Sequence, residues 1–122
     1  MDSFKLLFIL REISGLNDFF IELRESYSKS YWGRYYVAKK LIVVFTLDEN
    51  GEYLPEKDII RTVTHELTHH IQWHHTPGWE RRKGVMHDAG FKKLHKQLLD
   101  RFYSFMLTKD SLGRFYYKKE TC

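Results

Sequence analysis

Cysteine and long apolar runs are scarce in this sequence, and each scarcity excludes a class of protein. The single cysteine, Cys122, excludes an internal disulfide framework and a four-cysteine zinc ribbon. The longest apolar run near the N-terminus, residues 6–10, is far too short to cross a membrane, and no small-residue cleavage site follows it. We therefore expect a cytoplasmic protein that has neither a signal peptide nor a membrane span.

Proline is also rare, and the composition that remains is typical of a compact globular protein. The chain has 122 residues, of which 43% are apolar and 30% are charged, and its two prolines form no linker. A chain of this length buries roughly two thirds of its unfolded surface, so a core can form without a structural metal. We expect one domain over residues 1–122.

The positive charge is concentrated in the C-terminal half. Residues 1–61 carry 9 Lys or Arg against 10 Asp or Glu, whereas residues 62–122 carry 11 against 6. Cations interleaved with aromatic residues suit contact with DNA, but they also occur on ordinary solvated faces. The net charge of +4 is modest for a nucleic-acid binder, so it favours the solvated-face interpretation. The cations form three clusters: residues 81–83; Lys92, Lys93 and Lys96; and Arg114, Lys118 and Lys119.

The hydrophobic pattern predicts an α+β fold. Helical spacing occurs over residues 3–13 and again over residues 16–23, with a break near Gly15, whereas residues 31–45 are rich in β-formers and predict a hairpin. A longer helix is expected over residues 56–73 and a final one over residues 88–107. A short β or irregular tail at residues 115–118 closes the chain.

The predicted central helix contains His65, Glu66 and His69 in the pattern H-E-x-x-H. Residues four apart lie about 40° apart around a helix, so the two imidazoles can approach one zinc ion from the same face. From the position of Glu66, a carboxylate can take the proton of a zinc-activated water that attacks a carbonyl and deliver it to the leaving amine. The spacing therefore indicates a catalytic zinc site.

A catalytic zinc needs a third protein ligand, for which His75, Glu80 and His87 are candidates. His75 could bind the metal only if the chain turned sharply at residues 72 and 73, which are glutamine and tryptophan. Glu80 lies in a loop close after the helix, whereas a glutamate ligand is expected on a following helix. His87 is favoured because a helix packed against the first can direct it towards His65 and His69. The remaining histidines are expected to be structural or at the surface, since His70 points about 140° and His74 about 180° from His65.

This arrangement resembles the SprT-like, or Spartan-like, metallopeptidase domain over residues 15–107. The resemblance rests on the H-E-x-x-H motif, on His87 with Phe91 four residues later, and on an aromatic and basic hairpin upstream that contains Trp32, Gly33 and Arg34. An acidic helix start, residues 56–58, also matches. Two features differ: Asp88 stands where the family usually has glycine, and no zinc ribbon follows. We expect Asp88 to cap the last helix rather than to orient an imidazole.

The resemblance implies a zincin-like fold in which His65, His69 and His87 bind Zn²⁺ and Glu66 is the catalytic acid and base. It implies hydrolysis of peptide bonds in protein substrates, including proteins attached to DNA, and a substrate strand lying along residues 40–45. A small domain without a zinc ribbon would suit a bacterial or phage protein. A phage protein would act in the cytoplasm of the host cell. The alternatives are a peptidase that cleaves the repressor of a mobile element, and a non-catalytic domain that binds nucleic acid or a protein partner.

Overall fold

The computed structural model describes residues 2–77 and 87–113 of the chain, with side chains described as far as residue 107. It contains three α-helices and one three-stranded mixed sheet, which confirms the predicted α+β class. The expected tail at residues 115–118 lies outside the described residues. None of the helices in the described part combines the length and apolar content needed to cross a membrane.

The first helix, α1, covers Ser3–Ser14, as the helical spacing predicts. Asp2 caps it, because the Asp2 side chain accepts a hydrogen bond of 2.7 Å from the backbone N–H of Phe4. Gly15 ends it in the left-handed conformation at φ 73°, which glycine adopts without steric cost. The chain can therefore reverse direction after α1.

The second helix predicted over residues 16–23 is wrong, because Phe20–Arg24 forms the strand β1. Phe19, Ile21 and Leu23 reach the core, whereas Phe20 is 56% exposed, so the side chains alternate with the period of a strand. The same apolar positions also fit a helical spacing. Pairing with a neighbouring strand decides between the two periods.

The sheet has the order β1-β3-β2, where β2 is Gly33–Tyr36 and β3 is Leu41–Phe45. Strands β2 and β3 form the predicted antiparallel hairpin, and β1 runs parallel to β3. The strand proposed for substrate binding, residues 40–45, is therefore central rather than at an edge, and its backbone groups already pair on both sides. The prediction that a substrate strand pairs along residues 40–45 is therefore wrong. Within the described residues, β2 is the edge strand that lies beside the cleft described below.

Two long helices complete the fold. Helix α2 covers Glu56–His75 and helix α3 covers Ala89–Gly113, so both predicted helices are confirmed and both extend further than expected. The three helices share one hydrophobic cluster with Ile42 and Val44 of the sheet, which places them over one sheet face. The helical members of this cluster are Leu6, Ile9, Leu10, Ile60, Val63, Leu67, Leu98 and Phe102.

Candidate metal centre

Helix α2 presents two histidines beside its buried stripe. Val63 and Leu67 are fully buried in the core, and His65 and His69 follow on the adjoining face one helical turn apart. The centroids of the two imidazole rings are 5.1 Å apart. The packing of α2 against the core therefore fixes the direction in which both rings point.

His87 approaches the same two rings from the segment that precedes α3. Its ring centroid lies 4.9 Å from that of His65 and 5.0 Å from that of His69. Asp88 caps α3, since its Oδ1 accepts a hydrogen bond of 2.9 Å from the backbone N–H of Phe91. The start of α3 thus holds His87 over α2, as the sequence predicts.

The three imidazoles are arranged so that they can hold a metal ion. One ring nitrogen from each of His65, His69 and His87 lies within 4.8 Å of the other two. The Nε2 atoms of His69 and His87 are 3.2 Å apart, close to the spacing of about 3.3 Å between two nitrogens bound tetrahedrally to zinc at ~2.05 Å. This distance and the donor chemistry therefore both fit a metal ion held by the three imidazoles.

Phe91 closes the apolar side of this cluster. Its ring is buried, and its centroid lies 4.8 Å from that of His65 and 4.7 Å from those of His69 and His87. A rigid hydrocarbon wall restricts the rotation of the three imidazoles and excludes water from one side of them. Phe91 can make this contact because it lies in the first turn of α3, four residues after His87.

Burial keeps the helix histidines in the form that binds metals. Burial, reinforced by the neighbouring histidines, lowers the pKa of His65 and of His69 to about 4. At neutral pH both rings are therefore uncharged and each offers a nitrogen lone pair. They need lose no proton to the solvent when a cation binds.

Glu66 is buried beside the histidines, with 8% of its surface exposed. Burial raises the pKa of its carboxyl to about 7, and the positive charge of Arg34 acts in the opposite direction. A group that titrates near neutral pH can both accept and donate a proton under physiological conditions. Titration in this range is a property that the predicted acid and base would need.

The three histidines and Glu66 line an open cleft of about 440 Å³. One wall is α2, a second is the segment that leads into β2, and the third is the start of α3. A cleft of this size admits an extended segment of peptide. Its lining comprises Ser30, Tyr31, Trp32, Gly33, Arg61, Thr62, His65, Glu66, His69, His87 and His95.

Gly33 allows β2 to lie directly against α2 at this cleft. A Cβ atom on Gly33 would stand 2.7 Å from Cγ2 of Thr62, 2.9 Å from the carbonyl oxygen of Val43, and 3.5 Å from Cγ of Glu66. The first two distances are shorter than ordinary contacts, so any larger residue would force the strand and the helix apart. The role of Gly33 is therefore close packing beside the glutamate.

The other proposed third ligands do not join the cluster in the described part of the chain. Helix α2 continues through residues 72 and 73, and Nε2 of His75 lies 2.9 Å from a carboxylate oxygen of Asp18 instead. Nε2 of His74 contacts the carbonyl oxygen of Val37 at 3.2 Å. Glu80 lies outside the described residues.

A second histidine cluster, which the sequence does not predict, lies around Asp18. His70, expected to be structural or at the surface, is fully buried, and its Nε2 lies 2.9 Å from Oδ1 of Asp18. Burial raises the pKa of Asp18, but hydrogen bonds from His70 and His75 outweigh this effect and hold the pKa well below its usual range. Asp18 is 52 residues from His70 in the sequence, so no local pattern indicates their contact.

His95, which the sequence predicts to be structural, also lines the cleft. His95 lies one turn after Phe91 on α3, and its Nε2 contacts Oγ1 of Thr64 at 2.9 Å and the carbonyl oxygen of Arg61 at 3.2 Å. Its ring centroid is 5.5 Å from that of His65. His95 therefore joins α3 to α2 immediately behind the candidate ligands, a structural role that also shapes the cleft.

No protein-family model, curated protein or solved structure matches this chain. The function is therefore inferred from the geometry of the site and from the motif resemblance.

Proposed function

We propose that this protein is a zinc-dependent metallopeptidase with a zincin-like fold, of the SprT-like kind. One observation carries the proposal: nitrogens of His65, His69 and His87 converge within 4.8 Å, and the buried carboxyl of Glu66 lines the same open cleft. Three protein ligands, an open side and an adjacent acid and base are the parts that a hydrolytic zinc site needs.

The donor set favours zinc among the divalent metals. His65, His69 and His87 offer three neutral imidazoles, and three imidazoles with a free fourth position are typical of catalytic zinc. Calcium and magnesium prefer sites composed of oxygen ligands. Zinc is therefore the proposed cofactor.

Bound zinc supplies a Lewis acid that polarises a peptide carbonyl and makes water a better nucleophile at neutral pH. The carboxylate of Glu66 accepts the proton of the attacking water and then donates that proton to the nitrogen of the leaving amine. The apolar ring of Phe91 excludes solvent from the opposite side of the imidazoles. Atoms and charge balance, since the peptide gains one water and Glu66 returns to its starting state.

The edge strand β2 provides the surface for an extended substrate. Trp32 accepts a hydrogen bond of 2.9 Å from the backbone N–H of Phe45 in β3. Because bonded and non-bonded pairs alternate between antiparallel strands, the backbone groups of Gly33 and Tyr35 face away from β3. A peptide that pairs with these two residues passes alongside Glu66.

A second cavity, next to the first, suits a substrate side chain. It has a volume of about 400 Å³, and Trp32, Arg61 and Thr62 line both this cavity and the metal cleft. Leu54 and Asp58 complete the walls that are described. The indole of Trp32, which is 59% exposed, is the apolar surface available to such a side chain.

DNA-associated proteins and a repressor both stay candidate substrates, and non-catalytic binding stays the alternative outside the peptidases. The predicted DNA contact depends on the basic residues of the C-terminal half. Of their three clusters, Lys92, Lys93 and Lys96 lie exposed on α3, whereas the other two fall outside the described residues. We therefore propose peptide bonds as the substrate class and leave DNA contact as a prediction.

The variant Glu66→Gln tests the chemistry, since glutamine preserves the size of the side chain but cannot accept the proton. We expect full zinc content and at least about a 10²-fold loss of peptide cleavage. The assay uses zinc analysis together with mass spectrometry of a mixture of unstructured peptides of random sequence.

Glu12→Gln is the matched control, because Glu12 lies on the exposed face of α1 and should leave both measurements unchanged. Persistence of cleavage in Glu66→Gln would overturn the assignment of the acid and base. Absence of cleavage in the zinc-loaded parent protein would favour the non-catalytic alternative.

A further inference from the structure

A second group of side chains that could hold a metal ion combines Asp18 with two histidines of α2 and lies apart from the first group. One carboxylate oxygen or ring nitrogen from each of Asp18, His70 and His75 lies within 4.8 Å of the other two. Oδ1 of Asp18 is 2.9 Å from Nε2 of His70, and Oδ2 is 2.9 Å from Nε2 of His75. None of these residues belongs to the group formed by His65, His69 and His87.

Tyr35 fixes the orientation of the buried member of this group. The hydroxyl of Tyr35 lies 2.6 Å from Nδ1 of His70, on the side of the ring opposite to Asp18. Metal-binding histidines generally have a hydrogen-bond partner on the nitrogen that does not bind the metal, and this partner fixes the ring. The Tyr35 contact leaves Nε2 of His70 directed at the carboxylate.

The group is also accessible from solvent. The side chain of His70 is fully buried, but those of Asp18 and His75 are 31% and 33% exposed. A cation can therefore enter from the Asp18 side, and water can complete its coordination. Two imidazoles and one carboxylate are a ligand set that binds zinc and related divalent transition metals.

We propose that Asp18, His70 and His75 form a second binding site for a divalent transition-metal ion of the zinc class. Such an ion joins the loop after α1 to the C-terminal end of α2. It stands apart from the catalytic proposal, because neither its ligands nor its test depends on Glu66.

Binding requires a shift of protons within the two rings rather than their loss. Without a cation, Nε2–H of each histidine donates to Asp18, and the hydroxyl of Tyr35 donates to Nδ1 of His70. With a cation, each Nε2 must present its lone pair, so the ring proton resides on Nδ1. The Nδ1–H of His70 then donates to the oxygen of Tyr35, which a rotation of the hydroxyl permits.

Lys40 competes with a cation for this site. Its ammonium nitrogen lies 3.7 Å from Oδ2 of Asp18, and its side chain is 42% exposed. The ammonium can therefore swing into solvent when a metal ion replaces it. Removal of this charge by Lys40→Met should tighten metal binding at the site.

Zinc titration of the full chain tests the proposal, with the zinc retained against a colorimetric chelator as the readout. We expect two equivalents for the parent protein and one for His75→Ala or Asp18→Asn, since loss of a ligand weakens binding by at least about tenfold. His74→Ala is the control, because His74 is a neighbouring, exposed histidine that is not among the converging ligands: its Nε2 contacts the carbonyl of Val37, and its ring packs against that of His70 with the centroids 5.2 Å apart.

A double variant identifies which equivalent is lost. His87→Ala should retain one equivalent, and His75→Ala combined with His87→Ala should retain none. Retention of two equivalents by a folded His75→Ala protein would overturn the proposal, as would a single equivalent in the parent protein that His75→Ala leaves in place. Peptide cleavage is not needed for either result, so failure here leaves the peptidase proposal unaffected.

Discussion

At the scale of single residues, one physical cause acts in opposite directions on the groups of the candidate metal centre. Burial lowers the pKa of His65 and His69 to about 4 and raises that of Glu66 to about 7, because it disfavours whichever form is charged. The histidines are thereby ready to bind a cation. A cation bound beside Glu66 would in turn favour its carboxylate form.

His87 is the candidate ligand that lies outside the helices. It is exposed and precedes α3 rather than lying within it. We expect His87→Ala to weaken zinc binding at the site of His65 and His69 by at least about tenfold, because it removes one of the three imidazoles. Competition with a chelator measures the change.

His95→Ala is an informative comparison for this variant. The ring of His95 lies 5.5 Å from that of His65, but His95 is not among the three converging ligands. The variant His95→Ala should therefore reduce zinc affinity less than His87→Ala does. Equal zinc affinity in His87→Ala and the parent protein would rule out His87 as a ligand.

At the scale of elements, the contact between β2 and α2 sets the width of the cleft. Tyr35 of β2 reaches His70 of α2, and Gly33 brings the backbone of β2 close to Thr62 and Glu66. Strand and helix are therefore held together at both ends of the strand. The edge available to an extended peptide lies against the helix that carries Glu66.

Gly33→Ala should separate these two elements. Its Cβ would lie 2.7 Å from Cγ2 of Thr62 and 2.9 Å from the carbonyl oxygen of Val43, so we expect a loss of roughly 1–3 kcal/mol in the free energy of unfolding. Urea denaturation measures this loss. Addition of Thr62→Ser removes Cγ2 and should restore part of the stability; no restoration would show that the Thr62 contact is not the cause.

At the scale of the whole molecule, one hydrophobic cluster joins the three helices to the sheet. Phe102 of α3 and Leu6 of α1 are fully buried in it together with Ile42 of β3. The position of His87 at the start of α3 therefore depends on packing much further along the same helix. Stability of the core and assembly of the site are coupled through α3.

Phe102→Ala should lower the free energy of unfolding by about 3–5 kcal/mol, because it removes a large side chain from a fully buried position. Phe4→Ala is the control, since Phe4 is 84% exposed and its loss should change stability by no more than about 0.5 kcal/mol. Urea denaturation of both variants provides the comparison. Similar effects at the two positions would contradict the assignment of the core.

The sequence alone was sufficient to predict those elements whose hydrophobic pattern fits only one type of secondary structure. The long amphipathic stretch of α2 and the apolar run of β3 were predicted as a helix and a strand. The segment over residues 16–23 fits both a helical and a strand period, and it became β1 because β3 offered a parallel partner. Edge or central position is likewise a property of the whole sheet, which explains the error for residues 40–45.

Local spacing by itself brought His65, Glu66 and His69 to one region of the molecule, because a helix repeats every 3.6 residues. For the third ligand the sequence favoured His87 among three candidates, and the tertiary structure brought His87 to the other two histidines. The tertiary structure alone decided that Gly33 lies against Glu66 and that Asp18 joins His70 and His75. These contacts depend on how separate elements pack, and packing is determined by the entire core rather than by neighbours in the chain.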